Sequence, residues 1–130
     1  EQEAQTCRND GIELLSLGIP DRGVPASRSE TSKLLTRIYG LLADGQSVGI
    51  HCRQGIGRSG LIAGCLLILA GTKPENAVAE LSRARGCQVP ETAEQQTWLV
   101  DFAATNLPGF RQAIAQKHVT ADRASHEGRA

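Results

Sequence analysis

The residues of this chain best suited to chemistry stand in one stretch, Val48 to Leu61. There Cys52 follows His51 and precedes, after five intervening residues, Arg58 and Ser59. Gly55 and Gly57 lie between the cysteine and the arginine. Glycine takes backbone angles closed to residues with a Cβ, so the N–H groups of Arg53, Gln54, Gly55, Ile56, Gly57 and Arg58 can turn toward one centre and bind an anion. The planar fork of Arg58 can donate two parallel hydrogen bonds to phosphate oxygens, a geometry lysine lacks. The same field acts on sulfur: a free cysteine has a pKa of about 8.5, and helix N-termini with nearby cations lower it to roughly 3.5–7.5. Cys52 is therefore expected to be a thiolate nucleophile at the floor of an anion cradle, and the Ser59 hydroxyl can stabilise the sulfur again when it leaves. His51 is read as orienting the loop rather than transferring protons.

Such a loop needs a strand to deliver it and a helix to receive it. Gln46 to His51 carries Val48 and Ile50 at strand-like alternation, and Leu61 to Leu69 is apolar at nearly every position, as in a helix buried on all sides. That helix begins near Arg58 and points its positive end at the cradle. Upstream, the strand-like run Ile12 to Leu17 feeds Ile19-Pro-Asp-Arg-Gly-Val-Pro25, whose proline, aspartate and glycine read on their own as a surface turn. Downstream, Val89 to Trp98 places Pro90 and Thr92 at a helix start, with Gln95 and Gln96 on its polar face. The remainder reads as scaffold. Ser29 to Ala43 is an amphipathic helix, with Ser29 or Thr31 as N-cap and Asp44-Gly45 as its stop. Pro74 to Arg85 is a second, ended by Gly86; Trp98, Leu99 and Phe102 form the inward stripe of a third. The order of elements implies an α/β domain with a central, mostly parallel sheet flanked by helices and the site at the carboxyl ends of its strands.

The string His51-Cys52-Arg53-Gln54-Gly55-Ile56-Gly57-Arg58-Ser59 resembles the H-C-x5-R-S/T signature of the cysteine-dependent protein phosphatases, the tyrosine and dual-specificity superfamily. The resemblance extends from about Gly11 to Phe102 and includes two further motifs in the family's order. It implies that Asp21 is the general acid that protonates the leaving oxygen, and that Gln95, with Gln96 as the competing choice, positions the hydrolytic water. Ile19 stands where tyrosine-specific members usually carry tryptophan, which leans toward the dual-specificity branch. By this resemblance the chain is expected to be a phosphomonoester hydrolase. It would act on phosphotyrosine, and on phosphoserine and phosphothreonine, of protein substrates through a phosphocysteine intermediate, with no cofactor and no metal. The alternatives are a phosphoinositide or other non-protein phosphatase, with Arg22 and Arg53 adding charge at the mouth, and a phosphate-binding pseudophosphatase.

Composition fits one small domain. The chain has 130 residues, 40% hydrophobic and 22% charged, and a net charge of zero, which gives no bias toward nucleic acid. Cys7, Cys52, Cys65 and Cys87 show no C-x2-C spacing, so neither a zinc site nor a disulfide framework is expected, and a reactive thiolate favours a reducing, cytoplasmic setting. Leu61 to Ala70 is too short to span a membrane. The chain contains no methionine and opens on Glu1, followed by polar residues expected to run directly into a strand. The sheet is therefore expected to be short of one or more N-terminal strands. Residues 1–117 are read as the catalytic domain and 118–130, which include His118 and His126, as a flexible tail.

Overall fold

The computed structural model describes the backbone of residues 1–127 and the side chains through Gln112. Five helices follow one another: α1 (Gln2–Asn9), α2 (Arg28–Ala43), α3 (Arg58–Leu69), α4 (Pro74–Arg85) and α5 (Ala93–Glu127). The expected central parallel sheet is absent among the described residues. Ile12–Leu17 and Gln46–His51 alternate as strands should: Leu15, Leu17 and Val48 are half-buried against the core, while Leu14 and Ile50 are exposed. Alternation alone does not make a sheet, because a strand also needs a neighbour about 4.8 Å away to share its backbone hydrogen bonds. The two runs line the same cleft of about 890 Å3, and no backbone hydrogen bond joins them. The architecture described is thus helical, and the α/β assignment is corrected.

The helices themselves follow from local sequence. α3 is apolar all round and buries Leu61, Ile62, Cys65, Ile68 and Leu69, which makes it the central element. Leu35 and Ile38 of α2, Ala77 of α4, and Trp98, Leu99, Phe102 and Phe110 of α5 close around it. Fully burying one such large side chain is worth about 1.5–3 kcal/mol over leaving it exposed. Trp98 stacks on Phe102 with centroids 5.5 Å apart, and the Arg28 guanidinium lies 5.5 Å above the Trp98 ring.

Helix ends agree with the sequence at α4, where Pro74 opens the first turn and Gly86, at φ 72°, closes the last. At α2 the cap is Ser27, whose hydroxyl accepts from the Glu30 N–H at 3.1 Å, rather than Ser29 or Thr31. The opening residues form α1 instead of leading straight into a strand. That helix buries no residue and is knit by surface bonds such as Gln5 to Asn9 at 2.9 Å. α5 continues to Glu127, past the Lys117 limit expected for its helix. The tail assignment of 118–130, with His118 and His126, concerns side chains outside the described residues.

Candidate active site

The Cys52 loop stands where the Gln46–His51 run meets the N-terminus of α3. Cys52 Sγ lies 3.3 Å from Ser59 Oγ and accepts from the Gly55 N–H, also at 3.3 Å. Gly55 takes φ 74°, the left-handed conformation that turns its amide inward. Burial pushes the thiol pKa up, but hydrogen bonds from the Ser59 hydroxyl and from the amides of Ser59, Gly55 and Gln54 outweigh it, and Cys52 falls to about 6. Cys65, buried in α3, is pushed strongly upward by desolvation and stays a thiol. The two cysteines are thus shifted in opposite directions, Cys65 by burial and Cys52 by the hydrogen bonds that outweigh its burial.

Arg58 opens α3 and reaches two parts of the Asp21 turn. Its Nη1 donates to Ile19 O at 3.5 Å, and its Nη2 lies 3.4 Å from Asp21 Oδ1. Asp21, Arg22, Cys52, Arg53, Gln54, Arg58 and Glu91 line a pocket of about 210 Å3. The sulfur, the guanidinium and the carboxylate assigned from sequence thus share one small cavity. Ile56 is half-buried, Gly57 is buried, and Arg53 is exposed where it lines the pocket.

Gln95 is fully buried on the first turn of α5. Its Nε2 donates to Gly23 O at 3.0 Å, while its Oε1 accepts from the Thr92 N–H at 3.3 Å. Thr92 Oγ1 accepts from the Gln95 N–H in return, so the two form a reciprocal cap at the start of the helix. Gln96 turns to the Pro90 carbonyl, 3.1 Å away. Of the two glutamines, Gln95 is the one beside the cradle and the Asp21 turn. His51 points away from the loop, with Nε2 2.7 Å from Glu3 Oε1 of α1 and a side chain largely in solvent.

Two features escaped the sequence reading. Arg85, in the last turn of α4, donates to Gln54 O at 3.2 Å and braces the cradle from outside. Glu91 pairs with Arg22 at 3.0 Å. The T-x-x-Q spacing of Thr92 and Gln95 was a readable signal for the cap; nothing local signals a pair separated by so much chain.

Over residues 1–72 the sequence matches the family model described as Tc-R-P: Polymorphic toxin system, DSP-PTPase phosphatase. The chain belongs to this phosphatase family. Within the wider cysteine-dependent phosphatase superfamily, it is 35% identical over 86 residues to cyclin-dependent kinase inhibitor 3 of Sus scrofa, covering 65% of this chain and 40% of that protein. The Rattus norvegicus counterpart is 33% identical over the same length and coverage. A protein of Invertebrate iridescent virus 6, named as a tyrosine phosphatase, is 33% identical over 89 residues, 65% of this chain and 32% of its own. The match thus spans about 40% of the length of the first two relatives. Asp21, Cys52, Arg58 and Ser59 all lie inside the matched region. No described helix is long and apolar enough to cross a membrane.

Proposed function

We infer that the chain hydrolyses phosphomonoesters on proteins, phosphotyrosine and in addition phosphoserine or phosphothreonine, through a phosphocysteine at Cys52. The observation that carries this reading is the sulfur's setting, with the Ser59 hydroxyl and the Gly55 amide each 3.3 Å from Sγ and the thiol pKa brought down to about 6. A thiolate held this way inside an arginine-lined pocket is suited to attack phosphorus.

In the proposed sequence the phosphate dianion takes the loop amides and the Arg58 fork, displacing Asp21 from Arg58. The thiolate attacks phosphorus as the bond to the leaving oxygen breaks, and Asp21 gives that oxygen a proton. Arg58 and the amides hold the equatorial oxygens as charge shifts. Water then attacks the phosphocysteine, Asp21 takes its proton, and the thiolate leaves toward the Ser59 hydroxyl. The family resemblance assigns Gln95 to orienting that water; its amide is buried against Gly23 and Thr92, so it turns toward the pocket to do so. Arg53, Gln54, Gly55, Ile56 and Gly57 complete the phosphate cradle. The low-pKa thiolate fits a reducing, cytoplasmic setting.

The test is Cys52→Ser. The cradle and Arg58 survive that change, so turnover of aryl phosphates and phosphopeptides is expected to vanish while inorganic phosphate still binds. Retained hydrolysis in the purified variant would remove Cys52 from the chemistry.

A further inference from the structure

Asp21 is carried on a tight turn, Pro20 to Gly23, closed by the Gly23 N–H onto Pro20 O at 2.8 Å. Arg22 occupies its third position with φ 56°. That left-handed conformation is ordinarily supplied by glycine or asparagine, and a longer side chain adopts it at a cost. Contacts outside the turn must hold it.

Gln95 holds Gly23 and Arg58 reaches Asp21, but the contact made by Arg22 itself is with Glu91. Its Oε2 accepts from Arg22 Nη1 at 3.0 Å, across a separation of 69 residues. The Glu91 side chain is 16% exposed and that of Arg22 65%, so the carboxylate is the fixed member of the pair. Glu91 Oε1 rests against Gly57, the residue before α3, so closely that a Cβ on Gly57 would collide with it. One carboxylate therefore touches the cradle with one oxygen and the Asp21 turn with the other. Its presence in the pocket otherwise makes little sense, since a carboxylate opposes a bound dianion. Paired with Arg22, that charge is offset and the turn is secured.

We propose that Glu91 is a positioning residue, which through Arg22 fixes the Pro20–Gly23 turn against the cradle and so sets the reach of Asp21 to the leaving oxygen. This rests on the reading of Asp21 as general acid. A general acid matters in proportion to how poorly the leaving group departs unaided. Loss of the latch is felt on phenyl phosphate and little on p-nitrophenyl phosphate, while the thiolate and Arg58 continue to bind phosphate.

The experiment compares kcat/KM for both esters in wild type, Glu91→Gln, Arg22→Gln, the double variant, Arg22→Lys and Asp21→Asn, with inhibition by inorganic phosphate measured alongside. Glu91→Gln is expected to lose about tenfold or more on phenyl phosphate and under about threefold on p-nitrophenyl phosphate, part of the roughly 10²–10⁴ that general acids supply. Phosphate inhibition of Glu91→Gln is expected to be at most about threefold weaker than that of wild type, because the amide and Arg58 donors are untouched and one opposing charge is gone. Arg22→Gln should match Glu91→Gln, the double variant should be no worse than either, and Arg22→Lys should recover most of the loss. Equal losses on both esters, additive losses in the double variant, or no loss would overturn the proposal. Should Glu91→Gln fail to fold, the exposed Arg22→Gln decides by the same criteria. A wild-type protein inactive on both esters removes the phosphatase reading, and Asp21→Asn without a leaving-group-dependent loss removes the acid assignment. Either result overturns the latch through its premise, and each is distinguishable from failure of the latch itself.

Discussion

Two cysteines of one chain meet opposite fates because of what surrounds each sulfur. Cys52 receives the Ser59 hydroxyl and a row of amides, while Cys65 is buried in α3, where desolvation outweighs the one backbone N–H beside its sulfur. For Cys52 the anion is the stabilised form, so the reactive fraction grows as pH rises through about 6. Alkylation by iodoacetamide is accordingly expected to follow a single ionisation near 6, with Cys65 unmodified in the folded protein. Peptide mapping across a pH series reads both; a midpoint near the ordinary value of about 8.5 would show that the loop does not stabilise the thiolate. Ser59→Ala removes one of the lowering donors and is expected to move that midpoint upward. At this scale the sequence was informative. The spacing of Cys52, Gly55, Gly57, Arg58 and Ser59 describes a cradle because each residue type acts within its own loop. Glu91 and Arg85 were not legible, since their partners Arg22 and Gln54 are set by tertiary packing, which no local spacing encodes.

Among the elements, the helices were readable where their faces and caps are local. α4 begins at Pro74 and ends before Gly86 because ring and φ preferences fix both ends, and α3 follows from an unbroken apolar run. α2 starts one residue before the expected Ser29, and its cap lies two residues before Ser29 and four before Thr31. Ser27, Ser29 and Thr31 all have capping side chains, and only the extended backbone of Ser27 directs its hydroxyl to the Glu30 N–H. Ser27→Ala is therefore expected to destabilise the fold by about 1 kcal/mol, a typical cap loss. Ser29→Ala, on an exposed turn, should stay within about 0.5 kcal/mol. Denaturant melts of the two variants test this, and a larger effect at Ser29 would reassign the cap. α1 escaped notice because it is short and mostly polar, with Ala4 and Cys7 its half-buried face and no residue fully buried.

On the scale of the whole molecule, the helices close around α3 and leave the two strand-like runs facing a common cleft. Their alternation was visible in sequence; the pairing partner was not, because pairing is decided by what lies alongside rather than by the run itself. Amide hydrogen exchange should reflect this arrangement. Slow exchange is expected across α3, and fast exchange over 13–18 and 47–51, where no ladder bonds are present. Strong protection over 47–51 would contradict the helical description.

The packing brings the cradle, the Asp21 turn and the start of α5 together, and the proposal is that the Cys52 sulfur takes and releases a phosphoryl group there. The direct test is rapid acid quench of the enzyme during turnover of an aryl phosphate, followed by mass spectrometry of its peptides. The account predicts one phosphoryl group on the peptide bearing Cys52, accumulating further when Gln95→Ala slows the attack of water. Turnover with Cys52 unmodified at every quench time, or phosphate found on a different residue, would contradict it.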